Sequence, residues 1–231
     1  MDNAITIHPI AHFRSPLTSK FGVPRQSGIV EELEGEVVFE KQYNSLDAIR
    51  GIEDFEYIWL IWGFSESKRK AENDALHLTV RPPRLGGNTR LGVFATRSPF
   101  RPNPLGLSCV RIDHEKMAGE WNGTLCVKGA DLMDGTPIYD IKPYIPYADA
   151  HPDAAAGFTE RIEWQRLKVF IPEDIGLYYD EEDVRILEAV LAEDPRPRYH
   201  DDPERVYGMP FKGHDVKFRV VNGCAMVVGI E

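Results

Sequence analysis

The feature that most restricts the fold is a series of short apolar runs, closely spaced and separated by turn residues, over the first 150 residues. The clearest run, YIWLIWGF at 57–64, is too short to span a membrane and typical of a buried strand. Further strands are predicted at 5–7, 37–39, 91–95, 105–112 and 124–129. Because only one short helix, at 47–52, is predicted in this region, the pattern favours a β-barrel or a curled sheet.

The composition changes near His151, and the remaining chain combines strand and helix signals. One long strand is predicted at 161–171. Residues 180–193 form the best helix pattern, since Asp180 can cap it and apolar residues share one face. The chain ends in a predicted hairpin with Asn222-Gly223 as its type I′ turn. We therefore expect a mainly β protein with an α+β appendage, divided into a barrel at 1–151 and a smaller domain at 152–231.

Positive charge is concentrated in one segment of an acidic protein. The chain of 231 residues has a formal net charge of -10 and a pI near 5.2, which argues against broad, nonspecific nucleic-acid binding. Residues 79–112 nevertheless contain no Asp or Glu and hold six arginines: Arg81, Arg84, Arg90, Arg97, Arg101 and Arg111. A local basic patch of this kind can bind RNA while the acidic surroundings restrict how the RNA approaches.

The sharpest motif in this segment is RSPFRPNP at 97–104. Each of its three prolines disfavours the helical region for the residue before it, so an extended, stiff segment is predicted. Arg97 and Arg101 would then be held ready for bidentate contacts with phosphate or carboxylate groups. Alternatively, these arginines pair with surface acids, and the residues alone leave both readings open.

A second polar group lies in DLMDGTPIYDIKPYIPY at 131–147. Its Asp134-Gly135-Thr136-Pro137 sequence predicts a tight turn. The charged and phenolic side chains around this turn are Asp131, Asp134, Tyr139, Asp140, Lys142, Tyr144 and Tyr147. They are either functional or simply hold the loop together.

Several common kinds of site are not supported. The chain has no G-x-G-x-x-G after a predicted strand, no P-loop, no H-E-x-x-H and no G-x-S-x-G. Its three cysteines are far apart, which predicts reduced thiols, and no metal site is expected. The first ten residues lack a basic segment followed by an apolar one, so we expect a cytoplasmic protein without a membrane partner.

Five segments of the chain resemble the TsaA-like family of tRNA methyltransferases. They are VPRQSG (23–28), RGIEDFEYIWLIWGF (50–64), the stretch from TVRPPR to LGLS (79–108), DLMDGTPIYDIKPYIPY (131–147) and EDPRPRY (193–199). The resemblance implies a single-sheeted β-barrel that binds S-adenosylmethionine, a homodimer, and the C-terminal domain of bacterial members. The implied reaction is N6-methylation of N6-threonylcarbamoyladenosine at tRNA position 37, next to the anticodon of threonine tRNAs.

The resemblance also implies site residues. Cofactor contacts fall on Gln26, Ser27, Gly28, Phe64, Ser65, Arg97, Leu107, Gly135, Thr136, Pro137 and Ile138. Relatives can have histidine where this chain has Ser65, and only a backbone contact would survive that difference. Turns at 26–28 and 135–137 suit close backbone contacts, and Phe64 and Leu107 suit an apolar wall.

Proton acceptance and RNA binding complete the predicted site. A carboxylate or phenol accepting a hydrogen bond from the adenine amine would assist methyl transfer, and the candidates are Asp134, Asp140 and Tyr144. The predicted contacts with the tRNA anticodon loop are Arg84, Arg90, Arg101, Lys142, Arg196 and Arg198, helped by Lys212 and Lys217 and by a stacking Tyr144 or Tyr199. Two alternatives remain: a methyltransferase of this fold with another acceptor, or a non-catalytic module that binds RNA or the cofactor.

Overall fold

In the part of the chain that the structure describes, the fold consists of two β-sheets, a two-stranded ribbon, four α-helices and connecting turns. The structure, a computed structural model, describes residues 4–64, 78–82, 89–117, 121–161, 165–196 and 202–231. The strands in this part of the chain are β1 (Ala11–Arg14), β2 (Glu34–Phe39), β3 (Tyr57–Gly63), β4 (Thr79–Val80), β5 (Leu91–Gly92), β6 (Leu105–Ile112), β7 (Thr124–Lys128), β8 (Pro137–Pro143), β9 (Lys168–Phe170), β10 (Tyr207–Phe211), β11 (His214–Val221) and β12 (Cys224–Ile230). The α-helices are α1 (Leu46–Ile49), α2 (Pro146–Asp149), α3 (Glu173–Gly176) and α4 (Glu181–Ala192).

Six antiparallel strands form a closed barrel in the order β1-β2-β7-β6-β3-β8, with β8 pairing back to β1. Strand β3 pairs with β6 from Tyr57 opposite Arg111 to Gly63 opposite Leu105. Side chains alternate across a strand, so Ile58, Leu60 and Trp62 point into the barrel core. The prediction of a mainly β protein is confirmed.

A second sheet, ordered β10-β11-β12-β9, packs against α4. The Asp180 side chain accepts a hydrogen bond from the Asp183 backbone N–H at 2.8 Å, which confirms the predicted cap. Asn222 and Gly223 both have positive φ, as the predicted type I′ turn requires. No helix in the described part of the chain is long and apolar enough to cross a membrane.

The segment between β1 and β2 connects the two cores. Leu17, Val30 and Leu33 are buried in the core of the second sheet, although they precede most of the barrel in the chain. The same segment is attached to the barrel, because the Gly129 N–H donates to the Leu33 carbonyl at 2.9 Å. The division of the chain at 151/152 therefore stays a prediction about chain segments. Residues 15–33 pack into the second core and are hydrogen-bonded to the barrel.

Four predicted elements differ from the structure. Residues 5–7 are not a strand, since regular pairing begins only at Ala11, where β2 and β8 lie alongside. The helix at 47–52 ends at Ile49, because Gly51 adopts a positive φ before a 3₁₀ turn. The strand at 91–95 stops at Gly92 and becomes a 3₁₀ helix. The strand at 161–171 is reduced to Lys168–Phe170, the three residues that pair with β12.

Candidate active site

A cavity of about 880 Å³ lies where β3 ends and β6 begins. Four chain segments form its wall: residues 20–26 before β2, residues 62–64 at the end of β3, residues 94–107 leading into β6, and residues 131–136 between β7 and β8. These segments are far apart in sequence, and the pairing of β3 with both β6 and β8 contributes to bringing them together. The cationic RSPFRPNP segment and Thr136 of the Asp-Gly turn therefore face the same space.

The RSPFRPNP segment is fixed by local hydrogen bonds. The Arg101 N–H donates to the Pro99 carbonyl at 2.9 Å, and the Phe64 N–H donates to the Pro104 carbonyl at 3.1 Å. The Arg101 guanidinium donates to the Thr96 carbonyl at 3.1 Å, and that of Arg97 donates to the side-chain oxygen of Gln26. Both guanidiniums thus donate to neutral oxygens while lining the cavity, which favours a ligand-binding role for these arginines.

Aromatic side chains form the apolar part of the wall. The rings of Trp62 and Phe64 meet edge to face, with centroids 4.4 Å apart. This arrangement requires glycine at position 106, because a Cβ there would lie 2.2 Å from Cε2 of the Trp62 indole. Leu107 and Met133 extend the apolar surface. Such a wall is suited to a purine ring or an aliphatic chain.

Two phenylalanines at the cavity are largely exposed. Phe94 and Phe100 expose 75% and 71% of their surface, while both line the cavity. Burial does not explain rings in these positions. Exposed aromatic rings beside arginines are typical of surfaces on which unstacked nucleic-acid bases pack.

A carboxylate, Asp131, lies in the wall among these groups. The Ser108 hydroxyl donates to it at 2.5 Å, and the same hydroxyl accepts a hydrogen bond from Nε1 of Trp62 at 2.9 Å. Burial raises the pKa of the Asp131 carboxyl, although the Ser108 hydrogen bond and the positive charge of Arg97 oppose this effect. The orientation of the carboxylate is fixed by neighbours that are themselves buried.

The predicted Asp-Gly turn is present and tightly held. Gly135 has a φ of 75°, and its N–H donates to the Phe13 carbonyl at 2.8 Å. The Asp134 side chain accepts the backbone N–H of Ser15 at 3.0 Å. Thr136 is almost fully buried and forms part of the wall. This geometry gives Asp134 a loop-holding contact, and its predicted catalytic role stays a prediction.

The other predicted cofactor residues surround the wall. The Ser27 hydroxyl accepts the Cys109 N–H at 3.2 Å, and the Gly28 N–H donates to the Gly129 carbonyl at 2.8 Å. Pro137 starts β8, and Ile138 is buried in the barrel core. Gln26, Phe64, Arg97, Leu107 and Thr136 line the cavity itself.

The remaining predicted residues make contacts that do not involve the cavity. Asp140 forms an ion pair with Lys142 at 2.9 Å, and the Tyr144 ring packs near Tyr57 and Trp59. Arg90 donates to the Thr79 hydroxyl at 3.3 Å, and Arg196 pairs with Asp194 at 2.8 Å. Ser65, Arg84 and Arg198 lie outside the described residues.

The cavity-lining residues that sequence reasoning did not assign include Lys20, Arg25, Trp62, Phe94, Phe100 and Asp131. Some signals were present. Lys20 and Arg25 flank the glycine- and proline-containing turn before β2, and Phe100 is part of the RSPFRPNP motif. Asp131 was one of several acids near the Asp-Gly turn, and only the folded structure separates it from the others.

Comparison with known proteins identifies the family. The model of the tRNA-methyltransferase O N-terminal domain matches residues 12–150, and that of the TrmO C-terminal domain matches residues 178–231. This chain belongs to the TrmO family. Among relatives, the tRNA (adenine(37)-N6)-methyltransferase of Escherichia coli is 37% identical over 230 residues, which cover 96% of each chain.

A second relative and a solved structure also match this chain over nearly its whole length. A Pseudomonas aeruginosa protein whose name describes an S-adenosylmethionine-dependent methyltransferase is 38% identical over 218 residues, covering 91% of this chain and 90% of that protein. The crystal structure of TrmO from Pseudomonas aeruginosa superimposes with a TM-score of 0.77 at 28% identity, covering 99% of this chain and 98% of the other. The predicted family, the predicted tRNA methyltransferase class and the predicted S-adenosylmethionine cofactor are confirmed.

Proposed function

We propose that this enzyme methylates N6 of the adenosine at tRNA position 37, in its N6-threonylcarbamoyl form in threonine tRNAs. The observation that carries the proposal is the single cavity shared by the stiff RSPFRPNP segment and Thr136 of the Asp-Gly turn. The first segment supplies cations, and the segment at 131–136 supplies turn backbone and the Asp131 carboxylate. S-adenosylmethionine supplies an activated methyl group when bound, and the cavity wall contributes by aligning that group with the acceptor nitrogen.

The wall residues suit the parts of S-adenosylmethionine. Arg97 faces the cavity and can bind the methionine carboxylate, since its guanidinium is oriented by Gln26. Trp62, Phe64 and Leu107 offer an apolar surface for the adenosine ring. The predicted contacts of Ser27, Gly28, Gly135, Pro137 and Ile138 belong to this proposal, as does that of Ser65.

The cation content of the cavity supports a modified, anionic acceptor. Lys20, Arg25, Arg97 and Arg101 all line it, whereas S-adenosylmethionine carries one carboxylate. The threonylcarbamoyl group adds a second carboxylate, and the RNA backbone adds phosphates, so several cations have partners in the proposed complex.

The exposed rings support a base as the second ligand. Phe94 and Phe100 lie at the cavity and can stack on the target adenine after it leaves the anticodon-loop stack. Arg84, Arg90, Lys142, Arg196 and Arg198 remain proposed contacts with the phosphates of the anticodon loop. Asp134, Asp140 and Tyr144 remain proposed proton acceptors for N6. Each also makes a structural contact: Asp134 with the Ser15 N–H, Asp140 with Lys142, and Tyr144 with two aromatic rings.

Homodimer formation is also part of the proposal. The outer face of β3 and β6 carries exposed apolar side chains, with Tyr57 38%, Leu105 37% and Leu107 53% accessible. A second copy of the chain covering this face would lie next to the cavity, because Leu105 and Leu107 belong to both. Light scattering should then give twice the chain mass of 26.2 kDa; the mass of one chain at micromolar concentration would contradict this assignment.

A label-transfer assay tests the proposed reaction. The purified chain, radiolabelled S-adenosylmethionine and threonine tRNA should give labelled N6-methyl-N6-threonylcarbamoyladenosine. The same tRNA transcribed without the threonylcarbamoyl group is the matched control and should accept little label. Equal transfer to both RNAs would indicate another acceptor. We place the reaction in the cytoplasm. Cells in which the gene is deleted should therefore lose the doubly modified nucleoside from their tRNA.

A further inference from the structure

The cavity combines four cations with one carboxylate. Among its described lining residues, Lys20, Arg25, Arg97 and Arg101 are positive, and Asp131 is the only acid. S-adenosylmethionine carries a positive sulfonium at its reactive centre. Because the cations in this wall have the same charge as the sulfonium, Asp131 is the one group among the described lining residues whose charge can attract it.

Asp131 is built into the wall in a way that keeps its carboxylate available. Its hydrogen-bond donors are the Ser108 hydroxyl, at 2.5 Å, and the backbone of Ser27. These donors are neutral, so they orient the carboxylate without cancelling its charge. Ser108 is fully buried and is itself fixed by Trp62, whose indole occupies the space left by Gly106.

This arrangement costs stability that the fold alone does not require. Burial raises the pKa of the Asp131 carboxyl, which means that the ionised form is less favourable here than in water. A neutral asparagine could accept the Ser108 hydrogen bond equally well. A carboxyl whose pKa is shifted by burial and that lies in the wall of a cavity is typical of a functional site.

We propose that Asp131 is the counter-charge of the sulfonium and that it lets the cavity favour S-adenosylmethionine over S-adenosylhomocysteine. The inference rests on the proposed function. S-adenosylhomocysteine keeps the amino acid and adenosine parts but lacks the methyl group and its positive charge. Asp131 therefore stabilises the methyl donor selectively and leaves the demethylated product without this attraction, which assists product exchange.

Titration calorimetry on the full chain tests the proposal without RNA. The probes are S-adenosylmethionine, S-adenosylhomocysteine and sinefungin, which has a protonated amine in place of the sulfonium. Asp131→Asn should weaken the two cationic probes by about 10- to 100-fold, the range for losing an interaction with a charged group. Binding of S-adenosylhomocysteine should change much less than that of the cationic probes.

Two results would overturn the assignment. An equal loss for all three probes would place Asp131 against a shared part of the ligand, such as the amino group. Unchanged binding of all three would remove Asp131 from ligand recognition. Failure of the proposed function is recognised separately, as wild-type protein that binds S-adenosylmethionine but transfers no label to tRNA.

Two further variants guard against a folding artefact. Asp113→Asn is the matched control, because it neutralises an aspartate that follows the neighbouring barrel strand and is not among the residues lining the cavity. It should leave the affinity ratio of the three probes unchanged. Ser108→Ala keeps the carboxylate but removes its donor, and it should lower the preference for the cationic probes less than Asp131→Asn does. A larger change of that ratio in Asp113→Asn than in Asp131→Asn would also overturn the proposal.

Discussion

Asp131 and Asp113 are two aspartates in the segments that follow neighbouring barrel strands, and their surroundings are opposite. Asp113 follows β6 and is 5% exposed, with Nζ of Lys128 at 3.2 Å. Glu34 in turn pairs with both Lys116 and Lys128, so the Asp113 carboxylate belongs to a network of ion pairs. Asp131 follows β7 and is held by a hydroxyl. A carboxylate paired with cations of its own chain supports the fold, whereas one left to neutral donors is available to a ligand.

The pKa directions reflect this difference. Burial alone would raise the pKa of Asp113, but the hydrogen bond from Lys128, the Lys116 backbone N–H and both lysine charges together lower it. At Asp131, burial outweighs the Ser108 hydrogen bond and the more distant charge of Arg97, so its pKa is raised. The first carboxylate is thus stabilised by folding in its charged form, and the second is not.

The largest expected effect is on the ligand side. Arg101→Ala removes a cavity cation whose guanidinium contacts only the Thr96 carbonyl among its described partners. The rate of tRNA methylation should fall by about 10- to 100-fold, since a charge-assisted contact with RNA is lost. The melting temperature should change little. Methylation at the wild-type rate would count against a role for this segment in catalysis or RNA binding.

The next effect is on the fold side. Lys128→Met removes the cation nearest to the buried Asp113 carboxylate, and the free energy of unfolding should fall by about 1–3 kcal/mol. Methylation at 25 °C should stay within a factor of about two of wild type, a change below 0.5 kcal/mol. Urea denaturation and initial rates measure the two quantities. If Lys128→Met loses activity and keeps its stability, the Asp113 ion pair serves the reaction and not the fold.

A smaller effect is expected at the cavity rim. Phe100→Ala should raise the KM for tRNA by about tenfold, near the lower end of the cost of losing one base-stacking ring. Since 71% of this side chain is exposed, unfolding should be unaffected. Phe100→Trp keeps a stacking surface and should restore the KM. If tryptophan and alanine give the same KM, stacking is not the role of this ring.

The smallest effect is a pair of opposite pH dependences. The pKa of Asp131 is raised above its ordinary value of 3.8, so its contribution to stability is lost as the pH rises through the folded-state pKa. Asp131→Asn should therefore match wild type in acid and be more stable by about 0.5–1 kcal/mol at neutral pH. Asp113 has a lowered pKa, so its contribution is present above 3.8 and lost as the pH falls.

Thermal melts between pH 3 and 7 measure both variants against wild type. Asp113→Asn should be less stable at neutral pH, and its deficit should shrink in acid. Parallel curves for the two variants would mean that the two carboxylates do not differ in the way their contacts indicate.

Local signals predicted those parts of the molecule whose stabilising contacts are close in sequence. Helix α4 begins after Asp180 because that side chain caps the amide of Asp183, three residues later. Asn222-Gly223 closes the last hairpin, whose two strands are adjacent in the chain. The strand at 105–112 was also found as predicted from its own apolar run, although its partner β3 is distant in sequence. The RSPFRPNP segment was also predicted as stiff, since proline acts on its immediate neighbour.

The prediction of a strand at 5–7 was wrong because a strand depends on a partner that local signals do not show. An alternating pattern shows that a strand is possible, but pairing needs a neighbour, and β1 has one only from Ala11 onward. The packing of residues 15–33 likewise depends on partners that are distant in sequence. Their turn residues indicated a loop, but not that Leu17, Val30 and Leu33 would pack into the second core.

The sequence by itself determined the protein family, the mainly β class and the terminal hairpin, because each depends on residues near one another in the chain. The stiffness of the cationic segment stays a prediction. The tertiary structure alone decided which acid faces the cavity. Asp131 and Asp134 are three residues apart, yet one accepts the hydroxyl of Ser108 and the other the backbone of Ser15. Strand order places these distant partners, and the partners fix the charge and orientation of each carboxylate.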